Sequence, residues 1–356
     1  MHRYIRFKAG KAVIDTIRQQ GLNPGKVAVF AAPAGGPKWF VCPGFDRTLI
    51  RTGFLNSRQE KVQLVGSSAG GWRCLAMACR DPLDAYEKLR IAYSRNIFTK
   101  DHNQLTISQA LRGNVDAFIT DADIPYILDH KTCRVAIHVV RAKGPAACEN
   151  RAIQGAALLS AFVLNAASAK AMRALFERVV FFSGSDPPLF TVPPFDGTAI
   201  PLDGSNLREA ALATGSLPYI VAGVKDVPGA PQGVYRDGGL LDYQLNLDYR
   251  PGPECLTLFF HYQERIVPGW LDKVFNGRKP PAGSLDRVLQ VFPGEDFLKL
   301  LPEGRLPDRE DFVTFADRPA ERIRRWDEVS RLSDVLGEEF MEAVESSRIR
   351  HLVEPL

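Results

Sequence analysis

The chain has 356 residues, 45% hydrophobic and 24% charged, enough to bury a sizeable core within one large α/β unit. A balance of 45 basic against 41 acidic residues, net +4, with no Lys/Arg run of five, argues against a dedicated nucleic-acid binder. Six scattered cysteines form no CxxC pair, so they read as thiols of a reducing compartment rather than a zinc ribbon or a redox motif.

Charges at Arg3, Arg6, Lys8, Lys11 and Arg18 interrupt any apolar stretch of signal-peptide length. The most apolar stretch, 155–169, is broken by Ser160, Asn165 and Ser168, so no membrane span is expected. These features predict a cytoplasmic protein, peripheral at a membrane at most. Ile5, Val13, Ile14 and Ile17 stand at near-helical spacing and predict an amphipathic helix over 3–20, ending at Gly21 and packed on the domain.

Residues 26–32 form an apolar run of strand formers that leads into the glycine loop 33–37, and 39–53 reads as a helix. A second buried strand, 62–65, is cut short by Gly66-Ser67-Ser68-Ala69-Gly70-Gly71, after which helix signals return over 72–80. Further strands are expected at 134–140 and 179–182, separated by an alanine-rich helix over 155–177. A short helix at 207–214 and strand-like runs at 219–222 and 256–260 follow. Strands alternating with helices imply an α/β layered fold with a substantially parallel sheet. From about residue 268 prolines and charges rise, strand signals fade, and 319–347 reads as charged helix. The expected organisation is a domain over 1–265 with a mainly helical C-terminal extension, 266–356, packed on it.

The pentapeptide Gly66-Ser67-Ser68-Ala69-Gly70 sits between a strand and a helix. A serine nucleophile needs a sharp strand-to-helix turn that exposes its oxygen, and that turn tolerates only small residues two positions either side. Gly66 and Gly70 flank Ser68 symmetrically, which favours Ser68 over Ser67. The following helix would aim its N-terminal N–H groups, beginning with Ala69, at a developing oxyanion. The alternatives are a plain glycine-rich turn or a phosphate loop, although the Gly-Lys-Ser/Thr ending of a P-loop is missing. Gly35 and Gly36 follow the first strand and could supply further N–H donors, with Lys38 adding a positive charge beyond them.

Two chemistries compete for the base. A triad draws on one of His2, His102, His130, His138, His261 and His351, and chain order fits Ser68, Asp237 and His261. A dyad needs only an aspartate, and Asp237-Gly238-Gly239 follows a strand-like approach at 233–236. Asp196-Gly197 and Asp203-Gly204 lie in a proline- and glycine-rich loop with no strand before them. An isolated Asp-Gly is ordinarily a turn.

Gly-Gly-x-Lys at 35–38, Gly-x-Ser-x-Gly at 66–70 and Asp-Gly-Gly at 237–239 occur in the order found in the patatin-like phospholipases. The segment 210–219, Ala-Ala-Leu-Ala-Thr-Gly-Ser-Leu-Pro-Tyr, also resembles the helix-to-proline stretch those proteins carry before the Asp-Gly motif. The resemblance covers about residues 26–245. It implies a three-layer α/β fold, Ser68 as nucleophile, Asp237 as base and Gly35, Gly36 and Ala69 as the oxyanion site, with Lys38, Gly66, Gly70, Gly238 and Gly239 in support. No metal and no cofactor are implied. The implied substrate is an acyl lipid or ester, with transient contact at a membrane surface and no nucleic acid. Two positions depart from the family pattern, where Ala34 and Trp39 replace glycines flanking the loop motif. A triad esterase and a non-catalytic lipid-binding or scaffold protein stay open beside the dyad reading.

Overall fold

A computed structural model describes residues 4–99, 101–244 and 246–356, which leaves His2 and Arg3 outside the described residues. In chain order the strands are β1 (Ile5–Ala9), β2 (Val27–Ala32), β3 (Val62–Ser67), β4 (Cys133–Ala142), β5 (Phe176–Phe182) and β6 (Thr198–Pro201). They continue with β7 (Val224–Lys225), β8 (Val234–Asp237), β9 (Leu256–Phe260), β10 (Val288–Pro293) and β11 (Val353–Pro355). They form one sheet in the order β11-β1-β10-β9-β2-β3-β4-β5-β6, with β8 on β4 and β7 on β8.

The fold is α/β with a mainly parallel sheet. Strands β10, β9, β2, β3 and β4 all run parallel, whereas β1 joins β10, and β5 and β8 join β4, antiparallel. Every residue of β9 and β10 is buried, as a sheet covered on both faces requires. Successive strand residues feed opposite layers. Phe30, Leu64 and Ile137 pack with most of the helices, while Val29, Ala31, Val65 and Ala136 pack with Phe190, Tyr249 and Ile266.

Residues 5–9, expected as the start of a helix, are a strand. Ile5, Phe7 and Ala9 face the core while Arg6 and Lys8 face outward, and this two-residue period overrides the sparse helical spacing. The helix is confined to Ile14–Gln20 and does end at Gly21. The run at 219–222 is not a strand. The Val221 N–H turns back to Leu217 O (2.9 Å), Tyr219 takes a positive φ of 71°, and the strand begins at Val224.

Strand β6 lies inside the loop expected to lack one, ahead of Asp203. That carboxylate accepts the N–H groups of Ser205 and Asn206 in a turn leading into the helix Leu207–Thr214. The helices Pro82–Ser94 and Gln104–Phe118 were not anticipated either. Beyond residue 265 the helices Pro319–Leu332 and Asp334–Glu345 replace the single expected one. The same region contributes β10 to the middle of the sheet and β11 to its edge, where sequence signals had faded.

Candidate active site

Strand β4 brings the two key residues together. Its register with β3 ends at Ser67↔His138, and its register with β8 ends at Asp237↔Val139. Because β5 pairs along 136–142, β8 must take the edge that β3 uses. His138 and Val139 are consecutive, so β3 running in one direction and β8 in the other meet end to end.

Ser68 follows directly on β3 at φ 54°, ψ −130°, backbone space that L-residues avoid at about 1–3 kcal/mol. Its N–H donates to Thr214 Oγ1 (2.8 Å), and the Thr214 hydroxyl donates to His138 O (2.7 Å), clamping the turn to β4. A Cβ on Gly66 would stand 2.4 Å from Gly70 O, and one on Gly70 would stand 2.1 Å from Ala32 O. Both glycines are thus required by close backbone approach. Ser68 Oγ donates to Asp237 Oδ2 at 2.8 Å, whereas Ser67 Oγ is buried without a partner.

Asp237 closes β8. Its N–H donates to Ser216 O (3.0 Å) and its Oδ1 accepts the Gly239 N–H (2.8 Å), which leaves Oδ2 for the serine. Gly238 permits this turn, since a Cβ there would lie 2.1 Å from His138 O. Burial pushes the Asp237 carboxyl above its usual range, partly offset by Arg309, the Ser68 hydroxyl, the Gly239 N–H and Lys273. Ser68 and Asp237 are both almost fully enclosed, at 5% and 2% exposure.

The glycine loop lies alongside. Ala34 is pinned by its N–H to Tyr243 O (2.8 Å) and by the Tyr262 hydroxyl to its own carbonyl (2.9 Å). Gly35 caps and Gly36 opens the 3₁₀ turn Gly36–Val41, so their N–H groups have no partner within it. Ala69 opens the helix Ala69–Met77, and Gly70 packs on the carbonyls of Ala32 and Pro33, which draws the helix N-terminus against this loop. Lys38 turns away to Asp308 (2.9 Å) and over the Tyr262 ring (5.8 Å), so it fastens the loop. Trp39, the second departure from the motif, is buried against Phe40, Tyr86 and Tyr93.

Sequence reasoning missed two residues here. Thr214 lies in the segment singled out at 210–219, but a threonine ending a helix gives no sign that it holds a turn from another strand. Arg309 comes from the C-terminal region, and its side chain lies against Gly36, where a Cβ would sit 2.8 Å from Nε. Its guanidinium is the leading charge acting on Asp237. No local motif marks it.

His261 forms no hydrogen bond with Ser68 or Asp237. Its Nδ1 pairs with Gln263 backbone atoms, its Nε2 is buried without a partner, and burial depresses its pKa to about 3. The Ser68-Asp237-His261 arrangement is therefore not assembled. Among the described residues, no group of three or more His, Cys, Asp or Glu side chains could hold a metal ion.

No family model matches the chain, and no curated protein matches it. Among solved structures it is similar to human GIVD cytosolic phospholipase A2, at 12% identity and a TM-score of 0.36. That match covers 95% of this chain and 63% of the other, so the chain spans less than two thirds of the structure it resembles.

Proposed function

We propose that the protein is a lipid acyl hydrolase of the phospholipase A or lysophospholipase type, acting through a Ser68–Asp237 dyad. The carrying observation is the 2.8 Å bond from Ser68 Oγ to Asp237 Oδ2 at a strained strand-to-helix turn. The order of the motifs at 35–38, 66–70 and 237–239 supports a lipid ester as substrate.

Asp237 accepts the Ser68 proton as Oγ attacks the ester carbonyl carbon. The carbonyl oxygen becomes an oxyanion that the N–H groups of Gly35, Gly36 and Ala69 stabilise, helped by the dipole of the helix behind Ala69. The tetrahedral centre collapses, the carbon–alkoxide bond breaks, and Asp237 returns its proton to the leaving alcohol. Asp237 then takes a proton from water, whose oxygen attacks the acyl carbon, and the acid departs as Ser68 regains its hydrogen. A fluorophosphonate probe should form a stoichiometric adduct that peptide mass spectrometry locates on Ser68. An unlabelled wild type, or equal labelling of Ser68→Ala, defeats the proposal.

Burial makes Asp237 a stronger base than an exposed aspartate. A protonated Asp237 cannot take the serine proton, so kcat/KM rises with pH through its folded-state pKa, above the ordinary 3.8. Arg309→Met removes the main charge that holds this pKa down, so the acid limb shifts to higher pH. A limb that stays put assigns the ionisation elsewhere.

A triad esterase makes the opposite prediction at His261. Under the dyad, His261→Gln retains turnover within a few-fold of wild type per folded molecule, measured with a soluble ester and corrected by active-site titration. A loss approaching that of Ser68→Ala would restore the triad.

A further inference from the structure

The helix Arg151–Ala167 is turned inside out. Its inward positions are Gln154, Ala157, Ala161 and Asn165, whereas Ile153, Leu159 and Val163 face solvent at 46%, 65% and 61% exposure. Polar bonds lock this rotation. Gln154 donates to Cys148 O (2.9 Å) and accepts from Gln104 (3.0 Å), and Asn165 donates to Asp272 Oδ1 (2.8 Å). Half a turn of rotation would bury the leucine and valine but strand these amides, so the apolar face is the intended outer face.

Neighbouring elements extend it. Phe162 stacks on Phe275 (5.6 Å), with Val274 exposed beside it, and Tyr219 and Ile220 are exposed near the other end of the helix. Residues 152–169 carry no charged side chain. Cations flank the patch instead, with exposed Arg151 at the start of the helix, exposed Lys170 beyond its end, and exposed Lys279 four residues after Phe275. Lys170 and Lys279 have no carboxylate partner among the described residues. A contiguous apolar face of this kind calls for a non-aqueous partner.

We infer that this face docks on an anionic lipid surface, its apolar side chains entering the acyl boundary and its lysines meeting the headgroups. A second copy of the chain fits less well, because a two-fold contact would set the lysine rim against itself. The helix that carries the face backs onto the candidate site, since its inward Ala157 and Ala161 pack with Leu240, just beyond Asp237-Gly238-Gly239. Lys273 lies over Tyr243 (4.3 Å) and is one of the charges acting on Asp237. The choice of lipid as partner rests on the hydrolase reading, but docking itself does not require Ser68.

The test uses the full chain as Ser68→Ala, which cannot consume the bilayer. Co-sedimentation with mixed phosphatidylcholine–phosphatidylglycerol vesicles should show binding that weakens with salt and on pure phosphatidylcholine. Adding Leu159→Gln and Val163→Gln should lower partitioning roughly 100-fold, at about tenfold or more for each embedded side chain. The same two changes in the Ser68 protein should leave soluble-ester turnover unchanged, which shows that the fold is intact. Undiminished vesicle binding by the double variant overturns the inference. So does a dimer in sedimentation equilibrium that the double variant dissociates while vesicles go unbound. Vesicle binding without any ester turnover defeats the hydrolase reading and leaves the docking face standing.

Discussion

Asp237→Asn lowers kcat by roughly ten-thousand-fold and Ser68→Ala by roughly a million-fold, the scales seen when a serine hydrolase loses its base function or its nucleophile. The asparagine keeps the shape of the site, since its Oδ1 can still accept the Gly239 N–H that Asp237 accepts at 2.8 Å. KM therefore changes little, and the loss falls on kcat. Stability should move the other way. A carboxyl whose folded-state pKa is raised contributes stability below its unfolded pKa and loses it as pH climbs through the folded value. At neutral pH the buried charge of Asp237 weighs against folding, and the neutral amide relieves it. Thermal melts at neutral pH should find Asp237→Asn at least as stable as wild type. An inactive variant that also melts lower would point to a structural role for the aspartate.

Asp46→Ala should destabilise the protein by about 3–5 kcal/mol, a large share of the 5–15 kcal/mol typical of a folded protein. Asp46 accepts from Arg73 Nε (2.7 Å) and Nη2 (2.9 Å) and from the Tyr86 hydroxyl, with Asp46, Arg73 and Tyr86 all fully buried. The three residues lie on the helices Pro43–Arg51, Ala69–Met77 and Pro82–Ser94, so the pair ties the helix behind Ser68 to two others. Removing the carboxylate strands a guanidinium in a dry core. The double substitution Asp46→Leu/Arg73→Met removes both charges and should recover most of the loss. Urea midpoints measure this directly. A single variant within about 1 kcal/mol of wild type would mean that water reaches Arg73.

Much of the candidate site was legible because its requirements are local. A strand, a sharp turn and a helix must follow one another within a dozen residues, so Gly66, Ser68 and Gly70 identify the turn without any knowledge of the fold. Asp237 was legible for a similar reason, with two glycines letting the chain leave the strand. The residues that escaped notice act at long range. Thr214 works through a clamp on another strand, Arg309 arrives from the C-terminal region, and the Arg73–Asp46 pair is set by how helices cross. Residues 5–9 misled because a short strand whose Arg6 and Lys8 alternate with apolar residues can pass for one face of a helix. β10 escaped because Val288–Pro293 is a brief apolar run in charged, proline-rich surroundings, and only its neighbours β1 and β9 make it a strand.

The end-to-end meeting of β3 and β8 means that the distance between Ser68 and Asp237 is measured on a third strand rather than along the chain. The 169 positions separating them in sequence do not enter that measurement. The connections that intervene are free to lengthen, shorten or acquire new segments, and lineages could remodel the outer layers while the Ser68–Asp237 pair stays in place. Strand β4 has no such freedom. One residue gained or lost at His138-Val139 would turn its side chains to the opposite faces and part Ser68 from Asp237, so β4 acts as the gauge of the candidate site without supplying either side chain.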